Sequence, residues 1–336
     1  MGMINLNWIS LILSCMYGLG VLNMAQSNLK FIVNGDRVVG QLLFGSLAKG
    51  TFSMGSDIDV AIIVENGRVD CKRMVIDGFK LDLHKYPLKI FVKLLTGKLN
   101  WHQISLPLEI LKNAIIIEDK RKILEKLIKS VQDLRIVKKY IGDLTLTARR
   151  NILYMEKLID KGLEYEAKIA LQSTINSILM LEYVRRGISP NMRPRDLYGN
   201  LLKLEDEELR FIYEKCIGLR SLRRRKVEEA FNEIFKLGIH RIFKVDFEDM
   251  LNAYAKGAFK EAFLTAKYIM FKDLCLKKLG NLDVTFNALT DSMKYLRLLK
   301  VEDELRRWIG GMEDVKIEEM RKMLRRLRKK VKNNSM

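Results

Sequence analysis

Near residue 120 the hydrophobic pattern of this 336-residue chain changes its period. Before that point, short apolar runs are separated by turn residues. Val38–Phe44 (VVGQLLF) and residues 57–64 (DIDVAIIV) read as strands, joined by a stretch rich in glycine and hydroxyls, GSLAKGTFSMGS. Residues 72–76 and 79–84 flank Asp77-Gly78, a pair suited to a two-residue hairpin turn, and residues 115–118 read as a last short strand. Beyond 120, apolar residues recur at helical spacing over 120–139, 144–160, 164–186, 206–219, 227–236, 259–279 and 315–332. Gly187-Ile188-Ser189-Pro190 is a helix stop, and Arg193-Pro194-Arg195 reads as an extended linker. The change predicts an α+β protein: a small mixed β-sheet domain over 1–120, then a larger all-α region over 121–336, with room for a division near 240.

Charge follows the same boundary. The chain carries 60 Lys+Arg against 41 Asp+Glu, a formal net charge of +19, but residues 1–120 hold only 13 basic and 10 acidic groups. The helical part therefore supplies most of the attraction for a polyanion. Residues 219–226 (LRSLRRRK) hold five cations, and residues 315–336 hold nine against two glutamates. In that last stretch Met320, Met323, Leu324, Leu327 and Val331 follow helical spacing, which makes an amphipathic helix with a cationic face. Contact with RNA and a docked helix with solvated charges both fit this pattern. The narrow apolar stripe, with no second anchor, disfavours a membrane surface.

An apolar content of 48% with 4 prolines excludes a disordered chain. Cys15, Cys71, Cys216 and Cys275 lie far apart with no CxxC pair, and there are three histidines. A CxxC zinc framework and a histidine-rich metal cage are thus disfavoured, and a reducing, cytoplasmic setting fits better. Residues 8–22 are apolar, but no basic residue precedes them and Ser10, Ser14, Gly18 and Gly20 interrupt them. They read as a buried helix rather than a leader or an anchor, with Met16 and Met24 as alternative starts.

The chemistry concentrates in residues 43–64. Asp57 and Asp59 are two apart on a strand, so both carboxylates leave one face while Ile58 and Val60 point to the other. Side-by-side carboxylates repel unless a cation lies between them, and Mg²⁺ suits a few carboxylates plus phosphate oxygens. Upstream, Gly45-Ser46 follows an apolar strand, where glycine permits close backbone approach and the Ser46 hydroxyl can meet a phosphate. Lys49 lies one helical turn later and adds a positive charge.

An apolar residue, Gly-Ser, ten intervening residues and then Asp-x-Asp in a hydrophobic strand (here Phe44-Gly45-Ser46 and Asp57-Ile58-Asp59) resembles the polymerase-β-type nucleotidyltransferase superfamily. The fuller string, Gly-Ser-x-Ala-Lys-Gly-Thr followed by Gly-Ser-Asp-Ile-Asp, is similar to archaeal CCA-adding enzymes and poly(A)-polymerase relatives. The likeness covers residues 38–85. It implies a third carboxylate on a neighbouring strand, for which Asp82 is the best placed. In 79–84 the apolar Phe79, Leu81 and Leu83 share one face, and Lys80, Asp82 and His84 share the other. His84 reads as a rim or partly packed histidine, since nothing near it in sequence supplies a nucleophile.

The resemblance implies a Mg²⁺-dependent transfer of a nucleoside monophosphate from an NTP to an acceptor hydroxyl, releasing pyrophosphate. Asp57, Asp59 and Asp82 would hold two metal ions, with Asp82 also helping to take the acceptor's proton. Gly45, Ser46 and Lys49 would hold the β- and γ-phosphates, with Ser56 assisting. The basic helical half favours RNA as acceptor over a protein or a small molecule. The helical half is itself similar to aminoglycoside-type and minimal nucleotidyltransferases, and no Arg-x4–6-His ribonuclease motif accompanies it. The chain is shorter than the CCA-adding class, its Asp57-to-Asp82 spacing is compact, and nothing matches that class's tail domains. A non-catalytic RNA- or partner-binding protein on the same scaffold is the alternative. The base and the oligomeric state are left open by the sequence.

Overall fold

The computed structural model describes residues 36–50, 57–76, 79–99, 103–119, 121–131, 134–188, 194–279, 291–293 and 315–332. The expected N-terminal helix and Ser56 lie outside them. The chain forms two compact units, Met1–Lys139 and Tyr140–Met336.

The first unit is built on five strands: β1 (Val38–Phe44), β2 (Ile58–Val64), β3 (Asp70–Ile76), β4 (Phe79–Pro87) and β5 (Ile115–Asp119). Their order across the sheet is β3-β4-β2-β1-β5. All neighbours are antiparallel except β2 and β4, which run parallel, so the sheet is mixed. The parallel pair places hairpin β3–β4 beyond β2 rather than beside β1. Ile58, Val60, Ile62 and Val64 alternate onto one face and pack with Leu43, Leu81 and Leu83. Each such side chain contributes about 1.5–3 kcal/mol by leaving water. On β4 the buried Lys85 is balanced by Asp36 at 3.1 Å.

Three helices interleave with the strands: α1 (Gly45–Ala48), α2 (Leu88–Leu95) and α3 (Ser105–Asn113); α4 (Ile123–Val131) follows β5. Then α5 (Leu134–Asp160) runs unbroken where sequence periodicity suggested two pieces, and the division between the units falls inside it.

In the second unit α6 (Glu164–Arg185) is the centre, with nearly every residue from Ala167 to Val184 buried. Several of the polar groups in this core are paired inside it. Asn151 donates to Ser177 Oγ at 3.2 Å, Ser173 and Ser292 hydroxyls meet at 2.6 Å, and Tyr183 donates to the Leu197 carbonyl at 2.6 Å. Around it lie α7 (Pro194–Lys203), α8 (Glu207–Ile217), α9 (Arg224–Lys236), α10 (Lys244–Ala255), α11 (Phe259–Leu279) and α12 (Ile317–Lys332). Pro194 opens α7 instead of extending a linker: at a first helical position proline's fixed φ is favourable and its missing N–H costs nothing. Asp206 caps α8 by accepting from the Leu209 N–H at 3.0 Å, and Gly218 ends it in a left-handed conformation.

The amphipathic segment of the C-terminal stretch is α12. It packs on α6 through Met320, Met323, Leu324, Leu327 and Val331. Among the described residues, no helix is long and apolar enough to cross a membrane.

Candidate active site

Sheet register assembles the site. Asp59 on β2 is the direct partner of Asp82 on β4, and Asp82 is the partner of Arg73 on β3. On the other side Asp59 faces Phe44, the last residue of β1. Directly opposed residues share a sheet face, so Arg73, Asp82, Asp59 and Phe44 form one row across four strands. Burial of Ile58 (2% exposed) and Val60 (0%) fixes the opposite face of β2, so the carboxylate of Asp59 has to take this one.

The structure brings Asp59 and Asp82 together with a third group. Ligand atoms of Asp59, Asp82 and His84 all lie within 4.8 Å of one another. His84 follows Asp82 by two residues and so shares its face. Its Nε2 is 3.7 Å from Asp59 Oδ1, and its ring meets Phe44 edge-on at 5.2 Å. Burial works against charging His84, but the neighbouring Asp59 and Cys71 outweigh it and raise the imidazole to about 9. His84 is therefore packed against Phe44 and belongs to the carboxylate cluster, not to the rim.

Asp57 joins through Arg73. The Arg73 guanidinium donates from Nε to Asp82 Oδ1 and from Nη2 to Asp82 Oδ2, both at 2.5 Å, and Nη2 also reaches Asp57 Oδ2 at 3.0 Å. Burial pushes the Asp57 carboxyl above its ordinary range; Arg73 opposes this, and Asp82 adds to it. The sequence reading missed Arg73, although a signal existed. Counting outward from the turn expected at Asp77-Gly78 pairs residue 76 with 79 and, by the same count, Arg73 with Asp82, which is the observed register.

Gly45 abuts the row. Its φ of +73° is left-handed, and a Cβ there would stand 2.1 Å from Asp59 Oδ2. The glycine of the motif is thus required by close approach to a carboxylate. Ser46 follows in α1, which Leu47 and Ala48 anchor to the sheet's apolar face. Lys49 Nζ bonds Glu109 Oε1 on α3, so its charge is engaged within this unit.

The donor set fits a divalent cation. Two carboxylates and an imidazole converge within reach of one ion, and Asp57 is linked to the same group through Arg73.

Residues 28–177 match the family model described as a nucleotidyltransferase domain. The crystal structure of a nucleotidyltransferase-like protein from Exiguobacterium sibiricum 255-15 is similar at 11% identity and a TM-score of 0.41, over 84% of this chain and 81% of that one. No curated protein matches the sequence. The Gly-Ser turn and the Asp-x-Asp strand both lie inside the stretch that is similar to a nucleotidyltransferase domain.

Proposed function

We propose that the protein is a Mg²⁺-dependent nucleotidyltransferase that moves a nucleoside monophosphate from an NTP to a hydroxyl on RNA and releases pyrophosphate. The observation that carries this reading is the in-register pair Asp59 and Asp82, with Asp57 tied to it, inside a domain that matches the nucleotidyltransferase family. Asp57, Asp59 and Asp82 would hold the metal, with His84 orienting Asp59. Bound there, divalent metal neutralises charge at the phosphates and makes the acceptor hydroxyl more acidic. By likeness to the family, Asp82 lies on the acceptor side and takes its proton. Ser46 holds the phosphates, with Lys49 joining once it leaves Glu109. Positioning and charge neutralisation supply the rate, since no side chain here forms a covalent intermediate.

RNA is favoured by α12. Arg328 pairs with Glu156, Lys330 with Asp206, Arg326 with Glu208 and Arg321 with Asp160. Lys322, Arg325, Lys329 and Lys332 instead all face water, and none has an ion-pair partner among the described residues. Their 3-4-3 spacing sets four cations in a row along one helix face, a surface suited to a string of phosphates. The basic run at the start of α9 contributes less. Arg224 and Arg225 pair with Glu228 and Glu229 one turn on, and Arg220 lies over the Phe211 ring at 4.4 Å.

The test is incubation with each labelled NTP, Mg²⁺ and total RNA. A discrete labelled RNA and released pyrophosphate are expected, both lost in Asp82→Asn. Label transferred to protein or small molecules instead would move the acceptor. No product with any NTP, and no change in Asp82→Asn, would leave the RNA-binding scaffold as the better reading.

A further inference from the structure

Arg73 stands where a metal ion would be expected to draw the carboxylates together. Its fork takes both oxygens of Asp82, which is only 6% exposed, and the same Nη2 reaches Asp57. Planar, two-point pairing of this kind is the strongest that an arginine makes with a carboxylate. The pair is also placed by the backbone, because Arg73 and Asp82 are direct cross-strand partners in the β3–β4 hairpin. A divalent ion entering beside Asp82 meets a fixed positive charge already on both of its oxygens.

We propose that Arg73 is a built-in competitor for the divalent cation: it balances Asp57 and Asp82 through its own hydrogen bonds, and metal binds well only when Arg73 is given another anion. A triphosphate is such an anion, so metal and nucleotide enter together, each removing the obstacle to the other. The coupling is a linkage between two ligands through one side chain. This inference rests on the nucleotidyltransferase reading for the identity of the site, and its test separates the two.

The experiment is Mn²⁺ binding to the full chain without nucleotide, followed by calorimetry and by the loss of the free-ion paramagnetic signal. Arg73→Met is expected to bind Mn²⁺ about tenfold more tightly than the wild type, the scale of losing a close cation from a partly buried carboxylate. Lys80→Met is the charge control. Lys80 also acts on Asp57 through space but makes no hydrogen bond to the carboxylates, so it should tighten binding far less. Arg73→Lys keeps the charge and loses the fork, and is expected to fall between wild type and Arg73→Met. It serves as the readout should the methionine variant fail to fold.

Equal shifts in Arg73→Met and Lys80→Met would overturn the proposal, because a general field would then explain both. An unchanged or weaker affinity in Arg73→Met and Arg73→Lys would overturn it as well. If no variant binds Mn²⁺ in a manner abolished by Asp82→Asn, the metal-site reading itself falls, and this inference with it. Tighter binding in Arg73→Met without nucleotidyl transfer to any acceptor would support the competitor and count against the activity alone.

Discussion

Gly45 occupies the position in the site with the least tolerance for change. Adding one carbon there brings it to 2.1 Å from Asp59 Oδ2 while the backbone keeps a φ of +73°. Gly45→Ala is expected to destabilise the protein by about 1–3 kcal/mol through backbone strain and to displace Asp59. Thermal unfolding and Mn²⁺ binding measured on the same sample check both effects; an unchanged melt would remove the close-approach argument. At this scale alternation put Asp59 opposite the core side chains of its strand, and the family resemblance together with alternation pointed to Asp82, which shares its rung. The sequence was less informative about Arg73 and His84. Each touches a carboxylate on a neighbouring strand, so seeing them required the register of a hairpin and of a parallel pair together.

Among elements, strands with a clear apolar run were legible to within a residue or two; β1 was read at its observed bounds because six of its seven residues are buried. Long helices were legible even when apolar all round, as α6 and α11 show, whereas the short α2 and α3 between strands were missed. Residues 244–255 form α10 although their apolar positions do not gather on one stripe, and α7 was hidden by its opening proline. α12 shows both halves of the amphipathic pattern in use. Its apolar side docks on α6, and its Lys322, Arg325, Lys329 and Lys332 row is left to solvent. Replacing those four by glutamine is expected to leave thermal stability within about 0.5 kcal/mol, since surface changes of this kind are small. For single-stranded RNA it should lower the slope of log affinity against log salt by about 3. Anisotropy across a salt series checks it, and an unchanged slope would assign the row to solvation alone.

For the whole molecule, an unusual cost lies in the second unit at Lys267 on α11. Its amine is buried, lies 5.8 Å from the Phe263 ring centre and has no hydrogen-bond partner among the described residues. Burial, with help from Lys226, lowers it to about 7. A base lowered in the fold binds fewer protons there than in the unfolded chain between pH 7 and its ordinary range, so stability rises with pH across that window. Below pH 7 the folded chain must carry the buried charge at full cost. Lys267→Met is therefore expected to raise stability by about 3 kcal/mol near neutrality, with the gain shrinking towards pH 10. Calorimetric melts at several pH values test this, and a gain independent of pH would show that packing, not charge, was responsible.

The parallel pairing of β2 and β4 has a temporal consequence. Asp59 and Asp82 lie on one rung only after the chain has crossed over through β3, so no local fragment can present them to an ion. Chelation at this rung would consequently be a property of the completed sheet, and a bound cation would act as a clasp that closes last and loosens first whenever that crossover opens.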